Sequence, residues 1–389
     1  MTGTPSNIPA VTRRCATWDI FCHVVDNFGD IGVCWRLASG LAARGQSIRL
    51  YVDDASALAW IAPDGCPGVQ VLRSGDLDQA GARAPAGAKP AARYEPADVV
   101  IAAFGCALPA SVVEAIVQAG QVRGGAAVRR IAWIHLEYLS AQAYAGRSHG
   151  LASPVLGGAA AGVHRWFFFP GFTPDTGGLL REAELERRRQ QFDRRSWLAS
   201  RGIGWAGEPV LSLFCYEPPL LAPWLAELGR APARLLVTDG RAAAAVRQAL
   251  AGMAPGWNPD GRLKITFLPL LTQVEFDHLL WAADVNFVRG EDSLVRALWA
   301  GVGLVWQAYP QGDDAHHDKL RAFLDWLQAP GSLRSFTLRW NGAEPGPLPP
   351  ILPSMLADNW AGAVQLARSR LFAQDDLVSR LLRFVAENR

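Results

Sequence analysis

From residue 17 onward, short apolar runs alternate with segments whose apolar positions recur at helical spacing. DIFCHVV reads as a strand, IGVCWRLASGLAARG as a helix, SIRLYV and ADVVIAAF as strands, SVVEAIVQAG as a helix and RRIAWIH as a strand. Runs apolar on both faces belong in a sheet covered on both sides, and alternation with helices makes that sheet parallel. After the strand-like HRWFFFPGF the chain turns charged in LLREAELERRRQQFDRRSWLAS, which reads as a linking helix with its arginines on a solvated face. A second alternation follows, with PVLSLFCY, ARLLVTD, LKITFLPL, DVNFVRG and GLVWQAYP as strands. PWLAELGRA, AAAAVRQALAG, EFDHLLWAA, SLVRALWAG and AHHDKLRAFLDWLQA are its helices. The tail, from NWAGAVQLARSRL to DLVSRLLRFVAENR, is helical by period. The expectation is two consecutive doubly wound α/β units, whose ligands sit at the carboxyl ends of strands.

Length and charge narrow the function classes. At 389 residues the chain exceeds one ordinary core and suits two domains. Its 38 basic and 36 acidic residues nearly cancel, so no overall field favours nucleic acid or a membrane surface. Six cysteines are scattered without a Cys-x-x-Cys pair, which fits a reducing cytoplasm better than a disulfide framework or a zinc site. No apolar run reaches the length of a membrane span, and the first residues carry no leader pattern, so a soluble cytoplasmic protein is expected. The Ala/Gly/Pro-rich stretch 80–93 reads as a surface loop without chemistry.

Candidate chemistry begins in DNFGDIG, directly after the first strand. Asp26, Asn27 and Asp30 lie where a site in this fold belongs, and Gly29 and Gly32 permit close approach. One reading is structural, with Asp30 capping the helix and Asp26 closing an Asx-turn. The other is a cation site. A dinucleotide fingerprint is disfavoured, because G-x-G-x-x-G is incomplete and an acid among the glycines repels a pyrophosphate. A second constellation is NFVRGEDSLVRALWAG, where helix-start N–H groups, Ser293 and the cation Arg289 make a site for a diphosphate. Glu291 and Asp292 there accept from sugar hydroxyls, hold Arg289, or simply favour the helix dipole. Phe214, Tyr216, Glu217, Gln273 and Phe276 end neighbouring elements, and Gln307, Tyr309 and Gln311 extend the rim. Aromatics among them either stack on a base or pack in the core. HLEYLS offers Glu137 and Tyr138 to the acceptor side, or is a strand-end turn. The run GDDAHHDK looks like a metal cluster, but adjacent ligands on a helix diverge, so no metal is expected.

Taken together, DNFGDIGVCWRLA, IHLEYLSA, FFPGF, SLFCYE, NFVRGEDSLVRALWAG and YPQ closely resemble the bacterial protein-arginine rhamnosyltransferases that modify elongation factor P, the EarP family. The resemblance spans most of the chain. It implies a GT-B fold, two Rossmann-like domains facing a central cleft, with dTDP-β-L-rhamnose held mainly by the second. The implied division is 1–178 as acceptor domain and 179–364 as donor domain, with a C-terminal helix in 365–389 packing back on the first. Carried over, Asp26 and Asp30 face the acceptor arginine, and by position Asn27, Gly29 and Glu137 are candidates for that side. Phe214, Tyr216, Gln273, Phe276, Arg289, Glu291, Asp292 and Ser293 bind the donor. Leu270 departs from the pattern, standing where the family often has an aromatic.

A guanidinium acceptor gives the two acids work, since it must be bound and relieved of a proton as the N–C bond forms. Asp30 is the leading base with Asp26 as partner, their roles exchangeable, and Glu291 is a candidate to stabilise charge developing on the sugar. The expected reaction is inverting transfer of rhamnose to an arginine of elongation factor P, without cofactor or metal and without nucleic-acid or membrane partner. The alternatives are a metal-independent glycosyltransferase of this fold with a small-molecule or lipid-linked acceptor, and a non-enzymatic nucleotide-binding module.

Overall fold

A computed structural model describes residues 15–25, 28–79, 94–120, 130–155, 157, 160–161, 163–310, 312, 314–352 and 358–388. Its first sheet comprises β1 (Thr17–Cys22), β2 (Ser47–Val52), β3 (Val69–Arg73), β4 (Val99–Ala103), β5 (Ala132–Leu136), β6 (Ala152–Pro154) and β7 (His164–Phe168), in the order β3-β2-β1-β4-β5-β7-β6. Every pairing is parallel except that of β6 with β7. The second sheet comprises β8 (Val210–Leu213), β9 (Ala233–Val237), β10 (Leu263–Phe267), β11 (Val285–Arg289) and β12 (Gly303–Gln307), all parallel, in the order β10-β9-β8-β11-β12. In each sheet the order reverses beside the first strand, β1 or β8, and a crevice opens at the carboxyl ends there. The architecture is α/β, two Rossmann-like units facing a cleft in the GT-B arrangement.

Apolar pattern explains the layers. β4 and β11 are buried along their whole length because helices cover both faces. In β1 the exception is Asp19, fully buried yet neutralised by Arg49 opposite it in β2, at 2.6 and 2.7 Å, and by the Tyr94 hydroxyl. Such a buried carboxylate is tolerable only because its oxygens are all engaged. Helix Gly29–Ala42 turns Ile31, Cys34, Leu37 and Leu41 onto the first sheet.

The tail divides its loyalty. Helix Trp360–Phe372 sinks Trp360, Val364 and Ala367 into the second core. Helix Leu377–Asn388 packs Leu377, Val378, Leu381 and Val385 into the first, and Arg44 ties it down through Asp376 at 2.8 Å. No helix among the described residues is long and apolar enough to cross a membrane.

Two readings need correction. The charged linker is not one helix but two, Leu185–Gln190 and Arg194–Ser200, because Asp193 caps the second by accepting from Ser196 N–H at 2.7 Å. Nor do its arginines form a solvated face: Arg188 reaches Asp277, Arg189 donates to the Ala300 carbonyl and Arg194 grips Asp284 with two bonds of 2.8 Å. Stretch 80–93 lies outside the described residues.

Candidate active site

The cleft between the sheets is walled on one side by Phe28, Gly29, Arg36 and Trp60, and on the other by Phe214, Gln273, Phe276 and Arg289, with Glu291, Asp292 and Ser293 beyond. Arg289 ends β11, and Gly290, at φ 63, lets the chain turn at once into helix Asp292–Ala300. The Arg289 guanidinium carbon lies 4.6 Å from the Phe214 ring centre and 4.4 Å from that of Tyr216. Tyr216 is buried against this guanidinium. Gln307, opposite Arg289 in β12, accepts from the Tyr216 N–H at 2.8 Å and fixes Tyr216 in place.

Arg289 is nearly buried, at 4% exposure, yet its Nε and Nη1 have no hydrogen-bond partner among the described residues. An unpaired buried guanidinium carries a desolvation penalty that an anion in the cleft would offset. The same turn presents the N-terminal N–H groups of helix Asp292–Ala300, which carry partial positive charge. Ser293 is committed to that turn: its Oγ accepts from Arg289 N–H at 3.1 Å and donates to the Arg289 carbonyl.

Glu291 and Asp292 do not hold Arg289, one of the expected alternatives. Both reach across the cleft. Glu291 accepts from Leu139 N–H at 2.7 Å and pairs with Lys319, while Asp292 pairs with Arg36 at 3.1 Å. Gln273 likewise donates to the Gly32 carbonyl at 3.0 Å, from a helix started by a Thr272–Glu275 capping box. Phe276 meets Phe214 edge-on, ring centres 5.4 Å apart, and Leu270 supplies an exposed aliphatic surface beside them.

On the opposite wall Phe28, not Asp30, occupies the cap position of helix Gly29–Ala42. Asp30 is buried in the first turn and accepts backward from Val25 N–H at 2.9 Å, closing the loop after β1. Asp26 and Asn27 lie outside the described residues, as do Gln311 and Asp313. Glu137 follows β5 half-buried, and burial pushes its carboxyl above the usual range against the opposing pull of Arg165. Asp314, His316 and His317, expected to diverge, bring ligand-type atoms within 4.8 Å of one another. The reason is that Asp314 precedes its helix at φ 58 and curls back.

Sequence reading missed the charged floor. Arg36, Arg188 and Arg296 interlock with Glu182, Asp277 and Asp292, Arg296 gripping Asp277 through two bonds of 2.7 Å and Glu182 through a third. Burial pushes the Glu182 carboxyl up, but Arg296 and Arg36 outweigh it and hold it well below the usual carboxylate range. The signal was present: Arg36 and Arg296 are lone charges in the apolar runs CWRLA and LVRALWA. Trp60, packed edge-on against Phe28 at 4.8 Å, gave no signal at all.

Comparison with known proteins matches the chain to a family. Residues 18–386 match the model of the elongation-factor P (EF-P) rhamnosyltransferase EarP. A protein-arginine rhamnosyltransferase of Pseudomonas aeruginosa is 43% identical over 96% of this chain and 99% of its own. One from Pseudomonas putida is 45% identical over 79% of this chain and 81% of its own. A structure solved to explain EarP-mediated arginine glycosylation of translation elongation factor EF-P superimposes with a TM-score of 0.60 at 31% identity. It covers 96% of this chain and all of that one. Matched from the first strand to the last helix, the chain belongs to the EarP family of EF-P rhamnosyltransferases and is a glycosyltransferase.

Proposed function

We propose that the protein transfers L-rhamnose from dTDP-β-L-rhamnose to an arginine side chain of elongation factor P, with inversion, in the cytoplasm. The observation that carries the donor half is Arg289, buried, unpaired at Nε and Nη1, and set at a helix start. A diphosphate there satisfies both nitrogens and the helix N–H groups at once. Phe214, Phe276 and Leu270 offer apolar surface for the base, and Gln273, Glu291 and Asp292 offer polar atoms for the sugar. The likeness to protein-arginine rhamnosyltransferases supports rhamnose as the sugar and arginine as the acceptor.

In this reading residues 1–178 receive the acceptor and 179–364 the donor. An arginine nitrogen attacks the anomeric carbon opposite the leaving group. The N–C bond forms as the C–O bond to the diphosphate breaks, and dTDP departs with the electron pair. Its growing charge is stabilised by Arg289 and the helix start, so the reaction calls for no metal ion. The guanidinium proton passes to Asp30 or Asp26, because a cationic nitrogen cannot attack until it is relieved of one. The Glu291 carboxylate, facing the cleft, stabilises positive charge on the sugar ring. Neither nucleic acid nor membrane has a part.

Thermal unfolding with dTDP tests the donor site. Ligand bound only to the native state raises the midpoint by mass action. The reading predicts a rise for the wild type and little or none for Arg289→Ala; an equal rise in both places the diphosphate elsewhere.

A further inference from the structure

Phe104 and Tyr138 stack at the carboxyl edge of the first sheet, ring centres 4.9 Å apart and planes 23° from parallel. Phe104 directly follows β4 and Tyr138 lies two residues beyond β5, so neighbouring strands present the pair side by side. β4 also adjoins β1, and Asp30 lies in the first turn of the helix that follows β1. Phe104 holds φ 55, the one aromatic with positive φ among the described residues, and its N–H donates to the Leu136 carbonyl at 2.8 Å. Bulky side chains rarely occupy that region, so the sheet edge holds this ring at a backbone cost.

A cation and two carboxylates already lie beside the pair. Lys319 Nζ lies 5.8 Å over the Tyr138 ring while paired with Glu291. Phe104 lines, with Glu291 and Asp292, a crevice that continues between the two halves. Tyr138 remains 40% exposed. The crevice that Phe104 lines thus runs from Val33 of helix Gly29–Ala42 to Glu291 and Asp292, just beyond Arg289.

We propose that Phe104 and Tyr138 form the platform on which the acceptor guanidinium is laid flat, an inference that rests on the arginine-acceptor reading above. A guanidinium is planar and weakly hydrated, so it stacks on a ring and leaves its N–H edges for the carboxylates that bind and deprotonate it. The platform selects a flat cation over a neutral hydroxyl and turns the nucleophilic nitrogen toward the cleft.

Steady-state transfer to elongation factor P with Phe104→Gly, Tyr138→Leu and Tyr138→Phe tests this. Phe104→Gly removes the ring while keeping a residue suited to positive φ, so it separates stacking from folding. Losing one cation–ring contact should raise the acceptor KM about 5- to 30-fold. The loss in kcat/KM should be carried by KM, with dTDP affinity unchanged and Tyr138→Phe close to wild type. Wild-type acceptor KM in both ring-deleted variants overturns the platform and leaves the arginine reading standing. A wild-type enzyme that transfers nothing to the factor overturns both.

Discussion

The Arg36 guanidinium crosses the cleft to the Asp292 carboxylate, Nε to Oδ1 3.1 Å, and joins two sheets that share no strand. Arg36 also pairs with Glu182 at 2.9 Å and lies 3.7 Å from Asp277. Removing it takes from Asp292 its guanidinium partner and from Glu182 one of two, and breaking a buried pair from one side costs up to roughly 3–5 kcal/mol. Arg36→Met should therefore lower the denaturation midpoint far more than Arg241→Met, whose pair with Glu217 is exposed. Equal midpoints would reduce the network to a surface ornament.

Arg289→Lys keeps the charge and still fails in this account. A lysine has no planar face to lie between Phe214 and Tyr216, and a single ammonium cannot donate in place of Nε and Nη1 together. Deleting one preorganised donor to a developing anion costs about 10²- to 10³-fold in kcat. Steady-state kinetics at saturating acceptor should show a fall of that order; near-normal turnover would make charge alone sufficient.

Asp30→Asn preserves an acceptor for Val25 N–H, so the loop bond at 2.9 Å can survive while the negative charge does not. Stability should drop by no more than a typical hydrogen bond, about 0.5–1.5 kcal/mol. Transfer should drop about 10²- to 10⁴-fold, the usual weight of general-base assistance. Parallel unfolding and transfer assays distinguish this from collapse of the loop, in which activity and stability would fall together.

His149 predicts how the fold responds to acid. Its Nδ1 accepts from Phe169 N–H at 3.1 Å, a bond available only to the neutral ring, and burial, with Arg380 nearby, pushes its pKa from 6.5 to about 4. Between those values the unfolded chain binds the proton that the native one refuses, so stability is full above about pH 6.5 and falls as pH drops toward 4. His135 is displaced the same way, by burial and Arg165, to about 4. Denaturation midpoints across this window should decline, and His149→Gln should flatten the decline; an unaltered slope would remove His149 from the acid response.

Most of the two sheets was legible because parallel strands buried on both faces announce themselves as apolar runs, as in VVIAA of β4 and VNFVR of β11. β3 escaped because its residues are half exposed at the sheet edge, and β6 because three residues carry no period. The cleft wall was legible at Arg289, since a cation in a strand followed by glycine and a helix start stands out in the sequence. The partners of Glu291 and Asp292 were not. They lie in Leu139 and Arg36, more than a hundred residues away, and only the closure of the two halves brings them together.

The central claim is that this cleft joins rhamnose to an arginine, and the intact mass of elongation factor P after incubation with dTDP-β-L-rhamnose measures it most directly. The account predicts an increase of one deoxyhexose with wild-type enzyme, mapped by fragmentation to a single arginine and absent with Arg289→Ala. An unmodified factor, or a sugar found on a hydroxyl side chain, would contradict it.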